Sequence, residues 1–156
     1  MKIKNSKLKI YIGSDHAGFE LKGKLIEFLK NLGHEVEDKG AYSLDPQDDY
    51  PDFVKPVAEA VSKDPNSRGI VLGGSGQGEA ICANKFKGIR AMTYYAPSRG
   101  EVSIIKDSRS HNDSNILSLG ARFLEANEAL EATRLWLETP FSSDERHVRR
   151  ISKLDI

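Results

Sequence analysis

The sequence predicts an α/β protein: one domain over residues 1–156, folded as a three-layer α/β/α sandwich around a five-stranded parallel sheet. Two observations support this prediction. Short apolar runs alternate with segments of helical periodicity along the chain. The runs contain little polar alternation, which is typical of parallel strands that helices cover on both faces. No linker or repeat divides the chain, and 156 residues suffice for one such core.

Glycine and proline mark the boundaries of the first elements. Gly33 follows a run of apolar residues at helical spacing, and glycine takes the left-handed conformation of a helix C-terminus at little cost. Pro51 suits the first turn of a helix, where its missing N–H is not needed. The first half is predicted to contain a strand at 8–12, a helix ending near Leu32, a strand near 34–36, a polar loop over 41–50 and a helix from 51.

The second half continues the alternation and ends in two helices. Its predicted elements are a strand at 69–73, a helix at 79–86, a strand at 89–94, a helix through Val102 and Ile105, a strand at 115–119, and helices at 126–137 and from about 143. This order is Rossmann-like, and ligands of such sheets bind beyond the carboxyl ends of the strands. The loops at those ends are therefore where functional residues are expected.

Composition excludes several classes of function. Lys plus Arg and Asp plus Glu both total 23, so the formal net charge is zero, and neither nucleic acid nor an anionic membrane is an expected partner. No apolar stretch reaches the roughly 18 residues of a membrane span, and the N-terminus lacks the apolar core of a signal peptide. The single cysteine, Cys82, fits a reducing compartment. We therefore expect a cytoplasmic protein.

The loop after the first strand has the features of an anion site. Asp15 and His16 lie between Gly13 and Gly18, at a helix start where free N–H groups and the helix dipole attract negative charge. Asp15 adds an acceptor and His16 a titratable donor. The alternative is that Asp15 only caps the helix and His16 is an exposed loop residue.

The glycine-rich loop at 73–79 is the strongest functional signal. Four glycines within six residues would let several N–H groups point at one ligand. No P-loop lysine follows Gly78, and Glu79 replaces the third glycine of the dinucleotide fingerprint. A carboxylate beside such a nest suits a site where Glu79 removes a proton while the N–H groups stabilise a developing enolate. Alternatively, Glu79 is a first-turn residue favoured by the helix dipole.

Two further clusters combine histidine with arginine. His111 precedes the fifth strand and Arg122 follows it, and a histidine there is either an acid–base group or a polar turn residue. Arg146 and Arg150 lie four apart on the last helix and share a face, which suits a phosphate dianion, although such charged helices are usually only solvated. No cluster of His, Cys and carboxylates has metal-ligand spacing. Cys82 lies in an apolar helical stretch, which is typical of a structural cysteine.

Together these segments resemble the ribose-5-phosphate isomerase B family, which also holds the galactose-6-phosphate isomerase subunits. The matching stretches are GSDHAGFELK (13–22), DDYPDF (48–53), GIVLGGSGQGEAICANKFKGIRA (69–91), SHNDSNILSLGAR (110–122) and TPFSSDERHVRRI (139–151). They cover most of the chain in the right order. One branch of the family has a catalytic cysteine at the place of Gly73. This chain is similar to the mycobacterial-type branch, whose loop reads GGSGxGE and whose base is a glutamate, here Glu79.

The resemblance implies an aldose–ketose isomerase that interconverts ribose 5-phosphate and ribulose 5-phosphate through a cis-enediolate, in the non-oxidative pentose phosphate pathway, without metal or redox cofactor. It implies a homodimer with shared active sites, a tetramer being the alternative. Glu79 would be the base, Ser75 would handle the hydroxyl proton, and His111 would open the sugar ring. The resemblance places Asp15, His16, Tyr50, Gly74, Gly76, Gly78 and Asn112 at the sugar, and Arg122, Arg146, His147 and Arg150 at the phosphate.

Two other functions are consistent with the residues. An isomerase of the same type could act on a hexose phosphate, such as allose 6-phosphate or galactose 6-phosphate, and the loop around 45–50 would decide between them. A non-catalytic sugar-phosphate-binding domain would keep the N–H nest and the arginines. It would need neither Glu79 nor His111, so the presence of both argues against it.

Overall fold

The computed structural model describes residues 6–96 and 103–156, and within them five parallel strands form one sheet. The predicted α/β class and five-stranded parallel sheet are confirmed, with element bounds shifted by a few residues. Val102, placed in a predicted helix, lies outside the described residues. The strands are β1 (Lys9–Ser14), β2 (Glu35–Asp38), β3 (Arg68–Gly73), β4 (Ala91–Tyr94) and β5 (Ile116–Gly120). The helices are α1 (Phe19–Asn31), α2 (Pro51–Lys63), α3 (Gln77–Ala83), α4 (Ile104–Ser110), α5 (Ala126–Glu138) and α6 (Glu145–Ile151), with a short 3₁₀ helix at His16–Gly18.

The strand order β2-β1-β3-β5-β4 decides which loops meet. β1 lies between β2 and β3, and the direction in which successive strands are added reverses there. Parallel α/β sheets open a crevice for ligands at such a reversal. β5, rather than β4, pairs with β3. The loops after β1, β3 and β5 therefore lie side by side at the carboxyl edge of the sheet.

Helices cover both faces of the sheet and give the three predicted layers. α1, α4 and α5 pack on one face, against strand residues that include Ile12, Leu72 and Leu119. α2 and α3 pack on the other face, against Val71 and Ile116. Because both faces are covered, the central strands β3 and β5 are buried almost throughout. In the described part of the chain, no helix is long and apolar enough to cross a membrane.

The last helix, α6, lies near the amino edge of the sheet. The segment before it is tied to the end of α4, where the Ser142 N–H donates to the Ser110 carbonyl at 3.0 Å. The segment after it reaches the start of β4, where the Gly88 N–H donates to the Asp155 carboxylate at 3.2 Å. Residues of α6 and of the turn after α4 are therefore close to one another, at the end of the sheet where β4 and β5 begin.

Candidate active site

A cavity of about 420 Å³ opens at the carboxyl edge of the sheet, where the loops after β1, β3 and β5 meet the start of α2. Its volume lies in the range of small-molecule sites. It is lined by Asp15, His16, Ala17, Tyr50, Gly74, Ser75, Gly78, Glu79, Arg122 and Phe123. All of these except Ala17 and Phe123 are residues that the sequence analysis assigned to the site. The structure thus brings together side chains from four separate segments.

Glu79 is a buried carboxylate on the wall of this cavity. It lies in the first turn of α3, is 4% exposed, and packs against Gly73 at the end of β3. Burial raises the pKa of Glu79, and the charge of Asp15 raises that pKa further. The N–H groups of Glu79 and Gly76 hydrogen-bond to the carboxylate and oppose the shift. A carboxylate with a raised pKa beside a ligand cavity suits a general base.

Gly73 provides the space that the Glu79 carboxylate occupies. A Cβ atom at position 73 would overlap the Glu79 carboxyl group, well inside van der Waals contact. A side chain at position 73 and a carboxylate at position 79 are therefore incompatible on this backbone. The pairing of glycine at 73 with glutamate at 79 has a steric basis.

Gly76, which the resemblance places at the sugar, has a structural role in the loop. It does not line the cavity; it precedes α3 with a φ of 79°, in the left-handed region that favours glycine. A Cβ atom there would also lie 3.1 Å from the Leu119 backbone. The Gly76 carbonyl accepts a hydrogen bond from the Ser118 hydroxyl at 2.6 Å. The Gly76 N–H donates a hydrogen bond to the Glu79 carboxylate. Gly76 therefore fixes the turn that presents Glu79.

The other two loop glycines are bordered by predicted site residues. A Cβ atom at Gly78 would lie 2.8 Å from the Tyr50 ring, and one at Gly74 would lie 2.9 Å from the Arg122 guanidinium. The backbone N–H of Arg122 donates to the Gly74 carbonyl at 3.1 Å, so a hydrogen bond joins the loop after β5 to the glycine loop. The Ser75 hydroxyl accepts the Gln77 N–H at 3.2 Å. These contacts place a guanidinium and a hydroxyl at the cavity that holds Glu79.

Asp15 and His16 reach the same cavity from the loop after β1. Asp15 is 6% exposed and accepts the Ala17 N–H at 3.0 Å, so it caps the 3₁₀ helix and also lines the cavity. His16 Nδ1 lies 2.6 Å from Asp48 Oδ1, and the same oxygen accepts the His16 N–H at 3.1 Å. Asp48 was not assigned to the site from the sequence. It lies in a polar loop, where a carboxylate looks like a solvated residue.

The side chains of Asp15, His16 and Asp48 form a cluster that residue spacing in the sequence did not reveal. The sequence showed no cluster at metal-ligand spacing, but these side chains offer possible ligand atoms within 4.8 Å of one another. Spacing in the sequence does not reveal this cluster, because Asp48 is 32 positions from His16. In the structure His16 Nδ1 and Asp48 are engaged with each other through a hydrogen bond.

Five predicted residues lie away from the cavity, in a group that we call the amino-edge cluster. The His111 and His147 rings are 4.6 Å apart, and the Ser142 hydroxyl lies 2.8 Å from His147 Nδ1. Burial lowers the pKa of His147, as do the charges of His111 and Arg146. The five residues of β5, a length of about 16 Å at about 3.3 Å per residue, lead from the amino edge of the sheet to the cavity edge. The cluster consists of His111, Asn112, Arg146, His147 and Arg150.

Comparison with known proteins identifies the family. The model of a family described as Ribose/Galactose Isomerase matches residues 10–154. The ribose-5-phosphate isomerase B of Mycobacterium leprae is 42% identical over 149 residues, which are 96% of this chain and 89% of the relative. The chain belongs to the ribose/galactose isomerase family.

Solved structures of this family share the fold. Ribose-5-phosphate isomerase B of Clostridium thermocellum superposes with a TM-score of 0.86 and 44% identity, over 94% of this chain and 95% of the other. The enzyme of Mycoplasma genitalium, solved with bound ribulose-5-phosphate, has a TM-score of 0.88 and 35% identity, over 94% and 93% of the two chains. Membership of the ribose/galactose isomerase family agrees with the resemblance on which the site residues were assigned.

Within the ribose/galactose isomerase family, the local structure favours the branch with a glutamate base. Gly73 leaves no thiol at the end of β3, and Glu79 fills the space. The one cysteine, Cys82, is half-buried one turn further along α3 and packs towards the core under α2. Burial raises the pKa of the Cys82 thiol, which disfavours the thiolate that a nucleophile or base requires.

Proposed function

We propose that this chain is an aldose–ketose isomerase that interconverts ribose 5-phosphate and ribulose 5-phosphate, a reaction of the pentose phosphate pathway. The observation that supports it most is the buried Glu79 carboxylate, whose pKa is raised, on the wall of a cavity that also holds Ser75 and Arg122. Relatives named ribose-5-phosphate isomerase B cover nearly the whole chain, and one was solved with ribulose-5-phosphate bound.

The proposed reaction moves one proton between neighbouring carbons and one between their oxygens. Glu79 takes the proton from C2 of the open-chain aldose, and the electron pair passes to the carbonyl oxygen to give a cis-enediolate. Ser75, whose hydroxyl lies at the cavity, exchanges the proton between the two oxygens. Glu79 then returns its proton to C1 and the ketose forms. N–H groups of the glycine loop favour the negative charge that develops, and Arg122 binds the phosphate group.

The complete site in this proposal needs two subunits. Glu79 lies at the carboxyl edge of the sheet and His111 lies near the amino edge, so one chain does not bring them together. In a two-fold dimer the amino-edge cluster of one subunit faces the cavity of the other. His111 then opens the furanose ring, Asn112 lies beside it, and Arg146, Arg150 and His147 bind the phosphate. Cytoplasmic location is part of the proposal and rests on the single cysteine.

Steady-state assay of the purified protein tests this function. We expect ribulose 5-phosphate to form from ribose 5-phosphate without added metal or cofactor. Allose 6-phosphate and galactose 6-phosphate serve as parallel substrates, because the family description includes galactose. A kcat/KM higher for a hexose phosphate would reassign the substrate, and binding without turnover of any of the three would support a non-catalytic binding domain.

We expect Gly73→Ala to lower kcat by about 100-fold, because the new methyl group forces the Glu79 carboxylate out of position. Overpacking should also lower the free energy of unfolding by about 1–3 kcal/mol. Gly23→Ala in α1 is the matched control, since its Cβ would contact nothing within 4 Å. That control should keep full activity. Full activity of Gly73→Ala would contradict the position assigned to Glu79.

We expect Cys82→Ala to keep most of the activity, because the thiol has a raised pKa and Glu79 supplies the base. Alkylation of the native protein with iodoacetamide should accordingly inactivate it little. Mass spectrometry after alkylation measures how much of the thiol reacts. Stoichiometric inactivation that ribose 5-phosphate prevents would instead assign the chemistry to Cys82.

A further inference from the structure

Asp48 binds His16 through two hydrogen bonds from a single carboxylate oxygen. Asp48 Oδ1 lies 3.1 Å from the backbone nitrogen of His16 and 2.6 Å from its ring Nδ1. Two bonds to one residue limit both the backbone and the ring torsions of His16. The short distance to Nδ1 is typical of a hydrogen bond in which one partner is charged. The imidazole is therefore held in one orientation at the mouth of the cavity that it lines.

The same contact decides which ring nitrogen is left for a ligand. An ionised carboxylate only accepts hydrogen bonds, so the ring must carry its proton on Nδ1. Nε2 is then the nitrogen that remains free to meet a ligand, as an acceptor in the neutral ring and as a donor in the charged ring. The His16 side chain is 28% exposed, which leaves that nitrogen accessible, whereas the Asp48 side chain is only 8% exposed.

The rest of the Asp48 carboxylate contributes no bond that would explain its burial. Its second oxygen, Oδ2, is buried without a hydrogen-bond partner among the described residues. Its ion pair in that part of the chain is with His16. An unpaired buried oxygen lowers the stability of the folded state. A carboxylate kept at such a position is better explained by its effect on His16 than by a contribution to folding.

We propose that Asp48 is a positioning residue for the isomerase reaction: it holds His16 as the Nδ1–H form with Nε2 available to the substrate. This inference rests on the proposed function and on the contact between His16 and the sugar that the family resemblance implies; His16 lines the cavity in which that contact would be made. Removing Asp48 frees the ring to rotate and to move its proton to Nε2. Substrate binding is weakened as a result, while proton abstraction by Glu79 is preserved.

Kinetics of single and double variants test this proposal. Asp48→Ala should raise KM for ribose 5-phosphate about tenfold while kcat changes less than about threefold. His16→Ala should raise KM by the same factor or more. The KM of the double variant should equal that of His16→Ala within about twofold, because Asp48 acts through His16. Additive losses would overturn the proposal. Asp64→Asn is the control and should leave both constants unchanged, because this carboxylate lies beyond α2, outside the cavity lining, and accepts the Asn66 N–H at 3.1 Å.

A measurement without substrate separates this inference from the proposed function. ¹⁵N spectra of the imidazole groups, assigned with His16→Ala, should show a protonated Nδ1 in the neutral His16 ring of the native protein. In Asp48→Ala that proton should move to Nε2, and Asp48→Asn should fall between the two because its amide oxygen can still accept both bonds. An unchanged His16 spectrum in Asp48→Ala would overturn the inference, even if the protein proved to be an active isomerase. Conversely, the shift could be seen in a protein that lacked the activity.

Discussion

Glu79→Gln is expected to lower kcat for ribose 5-phosphate by about 100- to 10,000-fold, because the amide cannot accept the C2 proton. Glutamine has nearly the same shape, so substrate binding should change little. Stopped-time assays of ribulose 5-phosphate give kcat, and calorimetric titration with substrate gives the dissociation constant. Glu27→Gln on α1 is the matched control, since Glu27 is exposed and far from the cavity in the fold, and it should retain full activity. Near-normal turnover of Glu79→Gln would assign the base to another residue.

The same variant should be more stable than the native protein at neutral pH. Burial raises the pKa of Glu79 above its ordinary value of 4.5, which means that the folded state holds the ionised carboxylate at a cost. That cost is complete above the folded-state pKa and disappears below 4.5, where both states are protonated. The Tm of Glu79→Gln should therefore exceed that of the native protein at pH 8, and the difference should vanish near pH 4. Each 1 kcal/mol corresponds to roughly 2–4 °C in Tm for a chain of this size.

Subunit exchange between Glu79→Ala and His111→Ala is expected to restore activity that neither variant has alone. If each pocket takes Glu79 from one chain and His111 from the other, a mixed dimer has one pocket with both defects and one intact pocket. Random reassortment makes about half of the dimers mixed, so about a quarter of all pockets regain function. The rate on cyclic ribose 5-phosphate is measured before and after exchange, and mass-tagged chains confirm that exchange took place.

A second mixture provides the control for this experiment. Ser75 lies in the same loop as Glu79 and lines the same cavity, so both come from one chain. A mixed dimer of Glu79→Ala and Ser75→Ala has one defect in each pocket, and its activity should not recover. Recovery in the second mixture, or proven exchange without recovery in the first, would contradict the shared site. The assignment of the isomerase reaction does not depend on this result.

The helices, strands and turns that were predicted correctly are those whose conformation depends on neighbouring residues in the sequence. Gly33 was expected at a helix end, and it has a φ of 94° just beyond α1, in the conformation that only glycine adopts cheaply. The glycine loop and Glu79 could be predicted because a buried strand, a turn and a helix start follow one another within a dozen residues. Periodicity and the positions of glycine and proline are local properties, so one chain without homologues reveals them.

The sequence alone was enough to predict the α/β class, the five strands and eight of the ten residues that line the cavity. Tertiary structure decided the rest. The pairing of β3 with β5 rather than β4 brings Arg122 to the glycine loop, and long-range strand pairing leaves no local signal. The Asp48–His16 contact joins residues 32 positions apart, and Gly76 proved to fix the turn because β5 lies against it. Local backbone geometry follows from neighbouring residues in the sequence, whereas contacts across the sheet depend on how whole helices and strands pack.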